Sequence, residues 1–282
     1  MFQKLSSSWE LVKASARVLK ADKELLVFPM ISSIGLIIVS ALFIVPIFLA
    51  DAVDTMFLNG SIQVAGVVVV FLFYLVQYFV IFFANTALVG AAMIRLRGGD
   101  PTLGDGFRIA FSRFWTILGY ALISATVGMI LKAISEKSGM LGKIIISIIG
   151  FVWNIATYLV VPILAVEGVG PIEAIKRSAG LLRKTWGQQI IGNLGLGTVF
   201  GLIVLVIFVV GIPVIIFAAA GIQSTALTIL VSLLFAFILI AVGLIQSTLN
   251  GIYTAAVYQY AADGQTGSFF DPMLIKEAFR PK

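Results

Sequence analysis

The distribution of charge constrains this chain most. Five runs carry no Asp, Glu, Lys or Arg at all: residues 25–50, 55–94, 114–131, 144–166 and 185–262. A helix needs about 20 apolar residues to cross roughly 30 Å of hydrocarbon. The runs 25–50, 114–131 and 144–166 therefore predict one span each. In the run 55–94, Asn59-Gly60-Ser61 marks a turn, and the second helix occupies 62–94. The run 185–262 is too long for one helix and holds two breakers, Gly211-Ile212-Pro213 and Gly221-Ile222-Gln223-Ser224-Thr225. The second breaker leaves about 30 residues on each side, enough for a tilted span. Pro213 then lies inside the fifth helix and frees the Val209 carbonyl. The count is six. Composition agrees: 60% of the 282 residues are apolar and 11% charged, against about 45–50% and about 25% in a soluble domain.

Lys and Arg set the orientation. A cytoplasmic N-terminus places sixteen of the nineteen basic residues inside, leaving Lys132, Lys137 and Lys143 outside. Both termini are then cytoplasmic. Ala50-Asp51-Ala52 resembles a signal cleavage site, but the 26-residue run before it exceeds the about 7–15 residues of a signal core, so the first span is retained. The net charge of +6 follows from basic loops that meet anionic headgroups. No basic, aromatic-interleaved module points to nucleic acid.

The basic segments on that side have helical periodicity. Leu5, Trp9, Val12, Ala16 and Leu19 form an apolar stripe with Lys13, Arg17 and Lys20 beside it. Leu103, Phe107, Phe111 and Phe114 form a second stripe, flanked by Arg108 and Arg113. Ile172, Ile175, Ala179, Leu182 and Trp186 form a third, interleaved with Lys176, Arg177, Arg183 and Lys184. Each reads as an interfacial helix with its apolar face in lipid and its basic face toward headgroups. Asp100-Pro101, Gly170-Pro171 and Asp271-Pro272 place Pro at the first helical position after a capping residue. The expected fold is an all-α integral membrane protein, one membrane domain over 1–282. Six transmembrane helices make three hairpins, each preceded by a cytoplasmic interfacial amphipathic helix. The units are about 1–100, 101–170 and 171–270, and a short C-terminal surface helix (272–280) lies in the tail 271–282. Ala91-Ala92-Met93 and Ala255-Ala256-Val257 are a weak internal echo.

The stretch Gly170-Pro171-Ile172-Glu173-Ala174-Ile175-Lys176-Arg177-Ser178, ending in Lys184-Thr185-Trp186, resembles a motif of a broad group of uncharacterised prokaryotic polytopic membrane proteins. That group is similar to the membrane region fused to some glycerophosphodiester phosphodiesterases. The chain departs from the motif at Ala179, where the group often has Trp. The resemblance implies a multi-pass protein of the prokaryotic cytoplasmic (inner) membrane and supplies no catalytic residue.

The chain has no Cys and no His, which removes thiol chemistry, imidazole bases and the usual soft metal ligands. No ionisable Asp, Glu, Lys or Arg falls inside a span; Glu167 and Lys184 mark edges. That argues against a proton relay, an intramembrane metalloprotease and a voltage sensor. Ser, Asp and Glu show no nucleophile–base spacing, so a non-enzymatic protein without a cofactor is expected. Polar residues nevertheless share helix faces: Tyr74, Gln77, Tyr78 and Asn85; Asn154, Thr157 and Tyr158; and Gln246, Asn250, Tyr253 and Tyr260. They read either as cross-helix bonds of about 1 kcal/mol each or as a polar conduit, with Gln77, Asn85, Asn154, Gln246, Asn250 and Tyr253 as its lining. Gly197-x-x-x-Gly201 fits close helix packing, Pro46 and Pro162 predict kinks, and Asp51 and Asp54 read as a solvated turn. Two functions follow. One is a protein that organises lipids or partner proteins at the cytoplasmic face, its anionic-headgroup or partner contacts being Lys176, Arg177, Arg183, Lys184, Arg108, Arg113, Lys13, Arg17 and Lys20. The other is an oligomeric channel or passive carrier for a neutral or amphipathic solute.

Overall fold

In the computed structural model, the described residues are 2–49, 57–58, 61–186, 195–265, 267–271, 273 and 275. Asp51, Asp54, Asn59, Gly60, Lys276, Arg280, Lys282 and most of the expected surface helix at 272–280 lie outside them. Ten α-helices run through the described residues: α1 (Phe2–Ala21), α2 (Val27–Leu49), α3 (Val64–Leu96), α4 (Leu103–Ser112), α5 (Phe114–Lys137), α6 (Met140–Ala156), α7 (Val160–Glu167), α8 (Pro171–Trp186), α9 (Gly195–Ile216) and α10 (Thr225–Asp263). A two-residue antiparallel ladder, Phe57–Leu58 with Ser61–Ile62, flanks the expected first turn. Six helical segments are long and apolar enough to cross a membrane: Lys23–Leu49, Val64–Leu96, Phe114–Lys137, Met140–Glu167, Val199–Gly221 and Thr225–Asp263.

These segments follow the charge-free runs, with two differences. The third runs past Lys132 to Lys137, and only Ser138 and Gly139 separate it from α6. The charged turns there stay helical because Lys and Glu are good helix formers. The fourth is two helices. In an unbroken helix the Pro162 ring would meet the Tyr158 carbonyl. The chain instead turns at Thr157–Leu159 and restarts at Val160, so that Pro162 falls in the first turn of α7, where no N–H is needed. The expected kink is thus a break. Pro46 and Pro213 stay inside continuous helices. The fifth and sixth segments part at a π-helical turn, Phe217–Gly221, and Ser224 caps α10 by accepting the Leu227 N–H at 3.4 Å.

Packing is concentrated at one end. At 1.5 Å per residue, α3 and α10 are about 50 and 58 Å long, well beyond a hydrocarbon thickness. Their outer parts expose apolar side chains such as Val68, Leu72, Leu233 and Phe237. Their other ends, Ala84–Leu96 and Thr248–Gln259, are mostly buried. These ends and α7 pack on one another and form the core. Small residues allow the approach: a Cβ on Gly251 would stand 2.4 Å from Leu88 Cδ2.

The three short helices close this core. α4 packs on α3, α8 on α7, α6 and α5, and α1 on α9 and α10. Their buried lines are Gly106 and Ala110; Ala174, Ser178 and Leu182; and Leu11, Ala14, Ser15 and Val18. Each line lies roughly 75–130° around the helix from the apolar stripe read in the sequence, and Val12 and Leu182 of those stripes are themselves buried. Within those stripes Trp9, Phe111, Ile172 and Ala179 are exposed, whereas Phe107, Ala16 and Leu19 are half-buried. α4 also starts later than Asp100-Pro101 predicts. Thr102 accepts the Asp105 N–H at 3.2 Å, and Asp105 accepts the Thr102 N–H at 3.0 Å. This reciprocal cap fixes the first turn at Leu103. Pro171 does open α8, and the Gly170 carbonyl accepts the Ala174 N–H at 2.9 Å.

Candidate functional site

The stretch that begins α8 holds the centre of the packed end. The break before α7 leaves the Leu159 N–H without a helical partner, and Ser178 of α8 accepts it at 3.0 Å in a fully buried position. Alongside, Arg177 pairs with Glu167 at the end of α7 and, at 3.0 Å, with Glu173 one turn earlier on α8. These two carboxylates hold the guanidinium's proton more tightly than usual. Glu167 also accepts the Tyr258 hydroxyl of α10 at 2.9 Å. One carboxylate therefore ties α7, α8 and α10. α7 ends at Gly168 in the left-handed region (φ +66°), and a Cβ there would stand 2.2 Å from Arg113 Nη1. The Arg113 cation thus lies against the carbonyl end of α7, where the helix dipole favours it.

The remaining cations divide into tied and free. Lys13 pairs with Glu10 at 2.9 Å, Arg108 approaches Asp105 at 3.5 Å, and Arg17 donates to the Phe269 carbonyl at 3.0 Å. Hydrogen bonds from Thr102 keep the Asp105 carboxyl below its usual range. Arg95 of α3 reaches Asp22 at 3.5 Å and also pairs with Asp100. Burial pushes the Asp22 carboxyl up, and Arg95 opposes that shift. Among the described residues Lys20, Lys23, Lys176, Arg183 and Lys184 are exposed and make no ion pair, as are Lys132, Lys137 and Lys143 around the junction of α5 and α6. On α8, Lys176 and Arg183 share one exposed face with Ile172 and Ala179, about 40° away around the helix, and lie opposite Ser178.

The polar residues of the spans lie in different surroundings. Gln77 of α3 donates to Ser40 of α2 at 2.9 Å, a cross-helix bond. Asn85 and Gln246 are half-buried, Asn154 and Asn250 are exposed, and Tyr253 is buried with its hydroxyl unpartnered. Of the polar faces read in the sequence, Tyr74 and Tyr78 line a cavity together with Ala125, Gly128, Met129 and Lys132; Gln77 and Asn85 of the same helix are not part of that lining. Among the described residues no group of acids could hold a metal ion.

A family model matches residues 64–269, from the start of α3 to beyond α10. The chain belongs to this family, DUF6159, a family of unknown function. The DUF6159 match takes in α4, α8 and Gln77, Asn85, Asn154, Gln246, Asn250 and Tyr253, and leaves α1 and α2, with Ser40, outside it. No curated protein and no solved structure matches the chain. Nothing in the match links DUF6159 to the glycerophosphodiester phosphodiesterase fusions that residues 170–186 resemble. The sequence reading missed Ser178, Glu167 and Tyr258 as partners. Ser178 is inside the Pro-initiated motif, and Glu167 is the lone acid closing the fourth charge-free run; both were signals.

Proposed function

We propose that this protein is a non-enzymatic membrane module that organises anionic lipids or partner proteins at the cytoplasmic face. The observation that carries the reading is the exposure of Lys20, Lys176, Arg183 and Lys184 on short helices packed at one end of the bundle. With the positive-inside orientation that end is cytoplasmic. On the short helices a buried line packs on protein and an exposed face of mixed apolar and basic side chains meets the headgroup region; on α8 the buried line holds Ser178 and the exposed face Ile172, Lys176 and Arg183. The likeness of residues 170–186 to other prokaryotic membrane regions fits this plan and an inner-membrane location.

The three-hairpin organisation belongs to the same proposal. Units 1–100, 101–170 and 171–270 each open with a short helix that packs on the unit before it. α4 lies on α3, α8 on α7, and α1 closes the ring onto α9 and α10. Native mass spectrometry of the protein with its co-purified lipids tests the function. Lys176→Gln, Arg183→Gln and Lys184→Gln together strip retained anionic lipid or a retained partner at unchanged thermal stability. Arg177→Gln lowers stability instead, because it releases Glu167. Unchanged retention in the triple variant sinks the reading.

One observation favours the second function, an oligomeric channel or passive carrier. The amides of Asn154 and Asn250 are exposed on membrane-length helices, and lipid offers them no partner. A second copy would supply one. A defined oligomer in the same spectra, lost on Asn154→Leu with Asn250→Leu, supports it; a monomer removes it.

A further inference from the structure

Lys132 sits 18 residues into α5, five from its end, on the membrane-length segment Phe114–Lys137. Its amine lies 5.8 Å from the Tyr74 ring centroid of α3, a cation–π arrangement. Among the described residues it makes no ion pair, although Glu136 is one turn on. Beside it lies a partly open cavity of about 220 Å³, lined by Tyr74, Tyr78, Ala125, Gly128, Met129 and Lys132. Ala125 and Gly128 make the room: they lack the side chains that would otherwise fill the space facing the two tyrosines. Tyr78 Oη stands 3.5 Å from where a Gly128 Cβ would be. On the same side of α5 as Met129, and seven residues earlier, Leu122 is 46% exposed. The opening therefore continues as apolar surface toward the middle of the bundle.

We propose that this cavity binds an acidic amphiphile, an oxyanion carried on an acyl chain. Lys132 supplies the charge, the tyrosines donate hydrogen bonds, and the chain follows Met129 and Leu122. An unpaired cation at the edge of hydrocarbon calls for an anion, and the apolar continuation selects one with a tail over a free ion. In the proposed orientation the site faces the outer leaflet, so it is independent of the basic cytoplasmic end.

The test uses the full chain in neutral detergent, carrying Lys176→Gln, Arg183→Gln and Lys184→Gln to remove the exposed, unpaired cations of α8. Dioleoyl phosphatidylglycerol, dioleoyl phosphatidylcholine and oleate are titrated separately and bound copies counted by native mass spectrometry. One copy of phosphatidylglycerol or of oleate binds in preference to phosphatidylcholine. Preference for the first assigns a phospholipid phosphate, and preference for the second a fatty-acid carboxylate. Lys132→Gln weakens that binding about tenfold or more, the worth of a charged hydrogen bond, and Lys132→Arg retains it. Gly128→Leu fills the cavity and also abolishes it. If Gly128→Leu does not fold, the two Lys132 variants decide. Equal binding of all three amphiphiles, or binding unchanged by Lys132→Gln, overturns the proposal.

Discussion

At the residue scale, Ser178 shows how one small polar side chain makes a helix break tolerable. A buried N–H without a partner costs about 1–3 kcal/mol, and the turn at Thr157–Leu159 exposes one at Leu159 that Ser178 accepts. Ser178→Ala should lower stability by about that amount, whereas Ala179→Ser, at the exposed neighbour, should stay within about 0.5 kcal/mol. Thermal unfolding in detergent distinguishes the two; equal midpoints would remove the role given to Ser178. The sequence marked Pro162 as a disturbance but not its repair. The Leu159–Ser178 pair is 19 residues apart, and no periodicity connects them. The same holds for Glu167 and Arg177. Helical spacing marks Arg177 as the α8 cation one turn from Glu173, but only the fold brings Glu167 to it.

At the element scale, six spans were legible because a charged residue inside hydrocarbon is costly and its absence over 18 or more residues is rare by chance. Boundaries followed the runs except where Lys132 to Lys137 extends α5 and where α6 opens at Met140, ahead of Lys143. The faces of the short helices were read less well. Hydropathy points to the large residues, such as Phe107 and Phe111 in α4, yet the closest packing uses Gly106 and Ala110. Small side chains let backbones approach and bury little area themselves, so a stripe search passes over them. A Cβ at Gly106 would lie 2.4 Å from Phe28 Cζ and 2.8 Å from the Ala87 carbonyl oxygen. The backbone atom cannot swing aside. Gly106→Ala should therefore push α4 off α3 and cost about 1–3 kcal/mol, read as a lowered unfolding midpoint. A midpoint equal to wild type would show that α4 is not seated as described.

At the scale of the whole molecule, the long helices extend past a hydrocarbon thickness and gather their inner ends into a core, which three short helices cover. This division explains why so many large apolar residues are exposed, from Ile37 on α2 to Phe237 on α10: they lie on the segments assigned to lipid. The sequence could not reveal it, since Ala84–Leu96 and the outer half of α3 belong to one apolar stretch. The polar faces were legible as faces, but whether residues on different helices converge depends on helix rotation, which Gln77, Asn154 and Asn250 resolve in different ways. The central claim is that the packed, basic end faces the cytoplasm. Because the chain has no Cys, single cysteines report sidedness without background. Lys184→Cys and Met140→Cys, at opposite ends of the bundle, would be exposed in turn to a membrane-impermeant maleimide in intact cells and in inverted vesicles. The account predicts that Cys at 140 labels in cells and Cys at 184 only in inverted vesicles; labelling of position 184 in intact cells would contradict it.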